Sequence, residues 1–519
     1  FPILFTWIGI ANTAPEGTVP DSVKWSFYVG AALLIFCVLY TFFTVKELNP
    51  QEYAEFHGIK EEEGKKEEEA NFISLLIKAP SAFWTVGIVQ FFCWAAFLFM
   101  WTYSNGAIAT QCFGWDGINA SAPAFQDAGN WVGVCFAIQA VGSMIGIGAG
   151  NLISESLGAK KTDDAADIAS VSFFASIFFG IVVMILGLIF KDELMDFLGA
   201  TKTIMPFAKN FAHYILIASP IICSSFVLNI LLRSQGKPTS SMIGMSFGAI
   251  LNIILEPIFI FKLNLGIKGA AIATVIGQSC SFLILLILYL KEKNLAKISI
   301  AAFFTKSGRF LAKICSNGSP TLLRQGLVVV ANVLVNVTAR KYGDSAIAAF
   351  SITNRLFLIA VSIMFGLGQG FQPVAGFSFG AKKYDRIKKS YYFTVILGIC
   401  IMSAISFCLF KYSSDIMKFF QKESDVVQIG SKIIKFFSIS LPLIPLTIVT
   451  NMVFQVTEQI GISIFLSSCR QGIFFIPLIF VLPAIFGITG LELCQPIANT
   501  ITSLVSLPFI VWYFRKLKE

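Results

Sequence analysis

Long apolar segments dominate this chain and constrain its fold more than any other feature. A helix needs about 20 mainly apolar residues to cross a lipid bilayer, and runs of that length follow one another along the sequence. We therefore predict an all-α membrane protein with about thirteen transmembrane helices and an incomplete segment near residues 1–12. The predicted spans lie near residues 24–45, 82–110, 131–157, 168–190, 206–233, 241–262, 267–291, 309–340, 345–377, 389–411, 430–457, 461–486 and 490–514.

The composition agrees with a membrane protein and excludes several functions. Hydrophobic residues make up 56% of the chain and charged residues only 13%, which is too little charge to cover a soluble protein of this length. The chain has only two histidines, and its eleven cysteines form no CxxC motif. The chain therefore has few candidate ligands for a metal centre and few histidines for a His-based active site. We expect no enzymatic activity, no metal and no cofactor other than a coupling ion.

The net charge of +9 comes from short basic clusters between the apolar segments. Such clusters mark the cytoplasmic side of a membrane protein, so we expect contact with membrane lipid, no nucleic-acid partner and a cytoplasmic C-terminus. Arg233, at the end of its span, is expected to extend toward the membrane surface rather than to bind substrate. The clusters are Lys160 with Lys161, Arg233 with Lys237, residues 291–313, Lys382 to Lys389, and Arg515 with Lys516 and Lys518.

The sequence also repeats itself. The GAKK motif at residues 158–161 returns at residues 380–383, an offset of 222 residues, and Asn229 matches Asn451 with the same offset. The copies are separated by about six spans, an even number, so equivalent helices run in the same direction. We predict a parallel repeat, with two lobes of helices around a central cavity and an axis along the membrane normal.

Several motifs from residue 146 to the C-terminus resemble the multidrug and toxic compound extrusion (MATE) family of cation-coupled antiporters. The resemblance implies a two-lobe MATE-like bundle in which the family's first helix is missing. The chain begins at Phe1 without a starting Met, so we expect it to be truncated at its N-terminus. The motifs are GIGAGNLISESLGAKKTDDA at 146–165, LNILLRSQGKP at 228–238, LNIILEPIFIF at 251–261, GSPTLLRQGL at 318–327, SITNRL at 351–356 and GQGFQPVAGFSFGAKKYDR at 368–386.

Residues 1–143 resemble a different family. TAPEGTVPDSVKWSFYVGAALL, VQFFCWAAFLFMW and GNWVGVCFAIQAVGSM in this region are similar to a sugar–cation symporter of the major facilitator superfamily, close to its sucrose-type branch. We expect a partial facilitator segment fused to a MATE transporter, through a gene rearrangement or an assembly error. The expected regions are the facilitator-like segment 1–143 with an acidic linker at 46–70, an incomplete N-lobe at 144–291, a basic cytoplasmic linker at 292–313 and a C-lobe at 314–519.

Glu256 is the strongest functional candidate, because placing a charged side chain within a membrane span costs several kcal/mol of free energy. It lies in the middle of LNIILEPIFIF, with Asn252 one helical turn earlier on the same face. A carboxyl group in this position can take up and release a proton. The resemblance adds Thr274, on the following helix, as a neighbour in an N-lobe cation site. The alternative is a protonated Glu256 with a purely structural role.

The first C-lobe helix carries a second polar set. Asn332 and Asn336 are four residues apart and therefore share one helix face. That face points toward the cavity or toward a neighbouring helix. We expect no carboxylate at mid-membrane depth in the C-lobe, because Glu458 and Glu492 lie near the ends of predicted spans. The members of the set are Arg324, Gln325, Asn332 and Asn336.

The resemblance implies a monomer in a bacterial inner (plasma) membrane. It would export small organic, cationic, drug-like compounds, driven by the entry of protons or sodium ions. Four alternatives stay open. The chain could be a sugar–proton symporter, a lipid-linked flippase, a membrane scaffold without transport activity, or an inactive chimeric membrane protein.

Overall fold

The computed structural model describes residues 142–191, 205–263, 265–291, 296–420 and 423–517. Every regular element within these residues is helical, which confirms an all-α protein. The predicted spans near 24–45 and 82–110 lie outside the described residues. So do the fragment near 1–12, the acidic linker 46–70 and nearly all of the facilitator-like segment.

Thirteen helices follow one another in the described part of the chain. Single π-helical turns extend two of them, Ile258–Lys262 after α4 and Cys469–Ile473 after α12. The helices are α1 (142–158), α2 (Thr162–Ile189), α3 (Met205–Ser234), α4 (Pro238–Pro257), α5 (Gly266–Lys291), α6 (Ile300–Ala339), α7 (Asp344–Gly380), α8 (Tyr384–Lys411), α9 (Ser413–Phe420), α10 (Ser424–Ser440), α11 (Ile444–Val456), α12 (Ile460–Ser468) and α13 (Phe475–Lys516).

Nine helical segments in the described residues are long and apolar enough to cross a membrane. Eight of them each correspond to one predicted span, with bounds that differ by at most nine residues. The ninth, Ile460–Lys516, covers the two spans predicted at 461–486 and 490–514. The span predicted at 206–233 corresponds to α3, and the one predicted at 389–411 lies within α8. The total of about thirteen spans stays a prediction, because it includes segments outside the described residues.

Most of the basic linker predicted at 292–313 is helical. α6 begins at Ile300, so most of that segment forms the first turns of α6. The segment is amphipathic: Phe310 is buried in the N-lobe core, whereas Lys306 and Arg309 are exposed. The beginning of α6 packs against α2, so this helix connects the two lobes.

α13 contains the last part of the span predicted at 461–486 and all of the span predicted at 490–514, joined at Gly487. The backbone of Gly487 has φ 60° and ψ −138°, which interrupts the helical geometry. A side chain is rarely compatible with that conformation, so glycine suits the position. The break separates the spans predicted at 461–486 and 490–514.

The internal repeat is visible in the helix bounds and backbone angles. α2 and α8 begin and end at residues that are 222 apart. The turns before them contain Lys160 and Lys382, with φ values of 60° and 57°. Two more residues with positive φ, Gly236 and Glu458, are also 222 apart. The two halves therefore share local geometry as well as sequence.

Asn229 and Asn451 make equivalent contacts in the two lobes. The Nδ2 of Asn229 donates to the main-chain oxygen of Ser241 at 3.2 Å, joining α3 to α4. The Nδ2 of Asn451 donates to the main-chain oxygen of Ser463 at 2.8 Å, joining α11 to α12. Ser241 and Ser463 are themselves 222 residues apart, so the repeat preserves a tertiary contact.

The lobes meet where α1 crosses the end of α7. A Cβ atom added to Gly158 would overlap the main-chain oxygen of Phe377, and one added to Gly380 would overlap that of Glu155. Gly158 matches Gly380 at the repeat offset, and Glu155 matches Phe377. The contact is therefore reciprocal, as a two-fold axis between the lobes requires. It lies beside the GAKK motifs, at the end predicted to be cytoplasmic.

Candidate functional site

The predicted coupling residues lie on α4 and α5, which pack against each other in the N-lobe. The helices approach closely at two glycines, where a Cβ added to Gly277 would be 2.8 Å from the main-chain oxygen of Gly248. Nearby, the Nδ2 of Asn252 donates to the Oγ1 of Thr274 at 3.4 Å. Thr274 in turn donates to the main-chain oxygen of Ala270 at 2.9 Å. The structure thus brings Asn252 and Thr274 together.

Glu256 is half-buried and lies one helical turn beyond Asn252 on α4. The next residue, Pro257, ends the α-helix, and the chain continues as the π-helical turn Ile258–Lys262. Proline lacks a main-chain donor, and π-helical turns are frequent at functional sites. The local sequence therefore places a carboxyl group beside a helix irregularity within an apolar span.

The side chain of Asn252 is only 4% exposed, and its Oδ1 has no hydrogen-bond partner. An unsatisfied buried polar group costs about 1–3 kcal/mol. A bound cation or the proton of a carboxylic acid would offset that cost. Together with Thr274 and Glu256, Asn252 supplies oxygen atoms, the ligand type that hard cations prefer. These three residues are therefore chemically suited to hold a proton or a sodium ion.

The described members of the polar set predicted on the first C-lobe helix lie in different surroundings. Arg324 and Gln325 are both half-buried. Asn332 is exposed and accepts a hydrogen bond from the Nδ2 of Asn354 on α7 at 3.3 Å, so it joins two helices. The side chain of Asn336 lies outside the described part of the structure.

Sequence reasoning missed Arg470. This residue belongs to the π-helical turn Cys469–Ile473, inside the span predicted at 461–486. The rule that selected Glu256, a charged group within a span, would also have selected Arg470.

The sequence predicts no mid-membrane position for Glu492, which lies near the end of a predicted span. In the structure its side chain is only 2% exposed, and its Oε2 has no hydrogen-bond partner. Its position just beyond the break at Gly487 does not bring it to the surface, because α13 is covered by other helices there. The position of a residue along a span therefore did not predict its burial.

Arg233 joins the two lobes, so the expectation that it extends toward the membrane surface was wrong. Its Nη1 donates to the Oε1 of Gln369 on α7 at 2.6 Å. A small cavity beside this contact is lined by residues of both lobes, including Asn151 and Gln372. Hydropathy places a residue along a span, but it does not show which side of the helix faces the other lobe.

A second polar chain crosses between the lobes close by. Asn151 on α1 donates from its Nδ2 to the Oδ1 of Asn317 on α6 at 2.9 Å. The Nε2 of Gln455 donates to the main-chain oxygen of Asn317 at 2.9 Å and to the Oγ1 of Thr321 at 3.1 Å. Neutral hydrogen bonds contribute about 0.5–1.5 kcal/mol each. They hold this end of the bundle together without making the closure irreversible.

The MatE family model matches residues 132–258 and 320–481 of this chain. Multidrug export protein MepA of Staphylococcus aureus (strain MSSA476) is 29% identical over 382 residues, which cover 73% of this chain and 83% of the relative. The protein of the same name from Staphylococcus saprophyticus is 28% identical over 378 residues, with the same coverage of both chains.

Solved structures show a similar fold. One is the outward-facing conformation of a multidrug resistance MATE family transporter of the MOP superfamily, with a TM-score of 0.77 and 21% identity over 88% of this chain and 100% of the other. Another is the Vibrio cholerae MATE transporter VcmN in the bent form, with a TM-score of 0.74 and 18% identity over 84% and 98%. None of these similarities shows the facilitator-like segment predicted at residues 1–143.

Proposed function

Because the chain belongs to the MatE family of multi-pass membrane transporters, we propose that it exports organic compounds in exchange for an entering proton or sodium ion. Members of this family are transporters rather than enzymes. The export of drug-like, cationic compounds is proposed here partly because the similar staphylococcal proteins are named multidrug export proteins. The alternative of a sugar symporter is not supported by any of the similar proteins.

The observation that carries the proposal is the polar cluster between α4 and α5. Asn252 and Thr274 are hydrogen-bonded, Asn252 keeps an unsatisfied buried oxygen, and Glu256 lies one turn away. The surrounding span is strongly apolar, so a titratable group there has a cost that a coupling role would explain.

In the proposed mechanism, Glu256 binds the coupling ion while the cavity faces outward. Binding favours the lobe arrangement that opens toward the cytoplasm, where the ion leaves. The contacts between α1 and α7 would separate in that arrangement and reform after the compound has entered. The protein would work as a monomer in the plasma membrane, with its C-terminus in the cytoplasm.

Replacing Glu256 with Gln tests the proposal, since Gln keeps the shape of the side chain but cannot exchange a proton. We expect ion-driven uptake of ethidium into everted vesicles to fall about tenfold or more, equivalent to at least about 1.4 kcal/mol of coupling. Ethidium binding to the purified protein should change little. Glu256→Asp should keep part of the activity, because a carboxylate remains.

Asp425→Asn is the matched control, because it removes an exposed carboxylate at the beginning of α10. It should transport ethidium like the unsubstituted chain. If Glu256→Gln also transports ethidium at the unsubstituted rate across a series of pH and sodium gradients, Glu256 is structural and the coupling site lies elsewhere.

A further inference from the structure

Two half-buried arginines come together in the C-lobe. Arg324 is on α6, and Arg470 is in the π-helical turn that packs against α6. The side chain of Leu327, one turn after Arg324, lies against the backbone at Gly472, where an added Cβ would be 3.1 Å away. Each arginine is surrounded by protein and still keeps part of its surface accessible. Both side chains are therefore partly enclosed by the C-lobe and partly accessible.

The two positive charges lack a negative partner in the described part of the chain. The charge of Arg470 acts on Arg324, and neither arginine forms an ion pair with a described residue. The Nε atoms of both side chains are buried without a hydrogen-bond partner. Like charges within a lobe repel each other, and burying them without compensation is strongly unfavourable.

The surroundings compensate these charges only in part. The guanidinium group of Arg324 lies over the ring of Phe365, 4.5 Å from its centroid, and such a contact is weaker than an ion pair. Gln471, next to Arg470, also has a buried side-chain oxygen without a partner. Arg233 of the N-lobe also has a buried Nε without a partner, but its Nη1 donates to the side chain of Gln369. The C-lobe pair is therefore an incomplete polar site.

We propose that Arg324 and Arg470 form an anion-binding site of the C-lobe that takes a carboxylate or phosphate group. The guanidinium group presents its donors in a planar fork that fits two oxygens of such a group. One oxyanion between the two side chains would supply acceptors for both and neutralise their repulsion. The π-helical turn carrying Arg470 widens the helix at this point, a feature frequent at functional sites.

The role of this site rests on the proposed function, and it extends the class of transported compounds to those that carry an acidic group. Compounds that carry an acid as well as an amine would engage the C-lobe through the acid. A purely cationic compound would gain nothing from the arginines. The same chemistry could instead hold a free inorganic anion, so the experiment needs one probe for each source.

The test uses the purified full chain in a neutral detergent. Inorganic phosphate is titrated at constant ionic strength while thermal unfolding is recorded, and the binding of carboxyfluorescein is followed by fluorescence anisotropy. We expect saturable stabilisation by phosphate and displacement of the dye by phosphate. Arg324→Gln and Arg470→Gln should each weaken both affinities about tenfold or more, since each removes one of the two forks.

Arg309→Gln is the matched control, because Arg309 lies on the same helix but is exposed. It should bind phosphate and dye like the unsubstituted chain. Arg324→Lys and Arg470→Lys keep the charge without the fork, and they should show smaller losses than the Gln variants. These conservative variants also provide the comparison if a Gln variant does not fold.

The absence of saturable phosphate binding to the unsubstituted chain would overturn the proposal. The proposal would also be overturned if the Arg324→Gln and Arg470→Gln variants bound phosphate as tightly as the unsubstituted chain. Phosphate binding without dye binding would overturn the role in binding transported compounds and assign the site to a free inorganic anion. These binding measurements need no transport. An anion site that is found while Glu256→Gln leaves efflux unchanged would therefore refute the coupling proposal alone.

Discussion

Single asparagine side chains hold helix pairs together at matching positions of the two lobes. Asn229 donates to the main-chain oxygen and to the hydroxyl oxygen of Ser241. Asn451 donates to the main-chain oxygen of Ser463 and the hydroxyl oxygen of Ser467. All of these residues are buried, where a lost hydrogen bond is not replaced by water.

Replacing either asparagine with alanine should therefore destabilise the protein. For Asn229→Ala and for Asn451→Ala we expect a loss of about 1–3 kcal/mol in the free energy of unfolding, because buried acceptors lose their donors. Thermal unfolding of the purified protein in detergent measures the effect. Gln428→Ala, at an exposed position on α10, should change stability by less than about 0.5 kcal/mol. Equal melting temperatures for Asn451→Ala and Gln428→Ala would contradict the structural role of Asn451.

At the scale of helices, irregularities are concentrated where the chain carries glycine, proline or polar groups. α4 and α12 each end in a π-helical turn, after Pro257 in one case and at Arg470 and Gln471 in the other. α13 is interrupted at Gly487. Each irregularity changes the direction or width of a helix within the apolar spans, where straight helices would otherwise satisfy every main-chain hydrogen bond.

The break in α13 gives a prediction at this scale. Gly487→Ala forces a Cβ into a backbone conformation that costs about 1–3 kcal/mol for other residues, so the unfolding temperature should fall. Gly461→Ala is the control, because Gly461 lies in a helix with open space around its Cα hydrogens, and alanine favours helix there. An unchanged melting temperature for Gly487→Ala would mean that the break does not depend on glycine.

In the whole molecule, the described contacts between the lobes include a reciprocal pair of close approaches and a set of neutral hydrogen bonds. Gly158 and Gly380 let α1 and α7 touch through their backbones. Arg233 with Gln369 and Asn151 with Asn317 add polar contacts nearby. This arrangement closes one end of the bundle, and the proposed mechanism requires that it open.

Adding bulk at the glycine contact should hold that end open. For Gly158→Val and for Gly380→Val we expect about a tenfold or larger loss of the closed population, since overpacking costs about 1–3 kcal/mol. Double electron–electron resonance measures the distance between the two lobes, using spin labels at Lys161 and Lys383 in a chain without native cysteines. Both positions are exposed, and they match each other at the repeat offset. Gly308→Val is the control, because nothing lies within 4 Å of its added Cβ. A distance distribution that is the same for all variants would show that this contact does not set the conformation.

The sequence by itself determined the membrane class, the spans within the described residues, the repeat and the equivalence of Asn229 and Asn451. These follow from hydropathy and residue identity, which are local properties of the chain and are the same whatever surrounds them. It also singled out Glu256 and Asn252, because a polar residue in an apolar span stands out without any knowledge of packing. Their role in coupling stays a prediction.

Only the tertiary structure decided which polar groups meet. Arg324 and Arg470 are far apart in sequence, and their proximity depends on how α6 packs against a π-helical turn. Arg233 contacts the other lobe, and most of the segment predicted as a basic linker belongs to α6. Both outcomes depend on which neighbouring helices each helix packs against. Packing between helices depends on shape complementarity over many residues at once, so it is not encoded in the periodicity of any single segment.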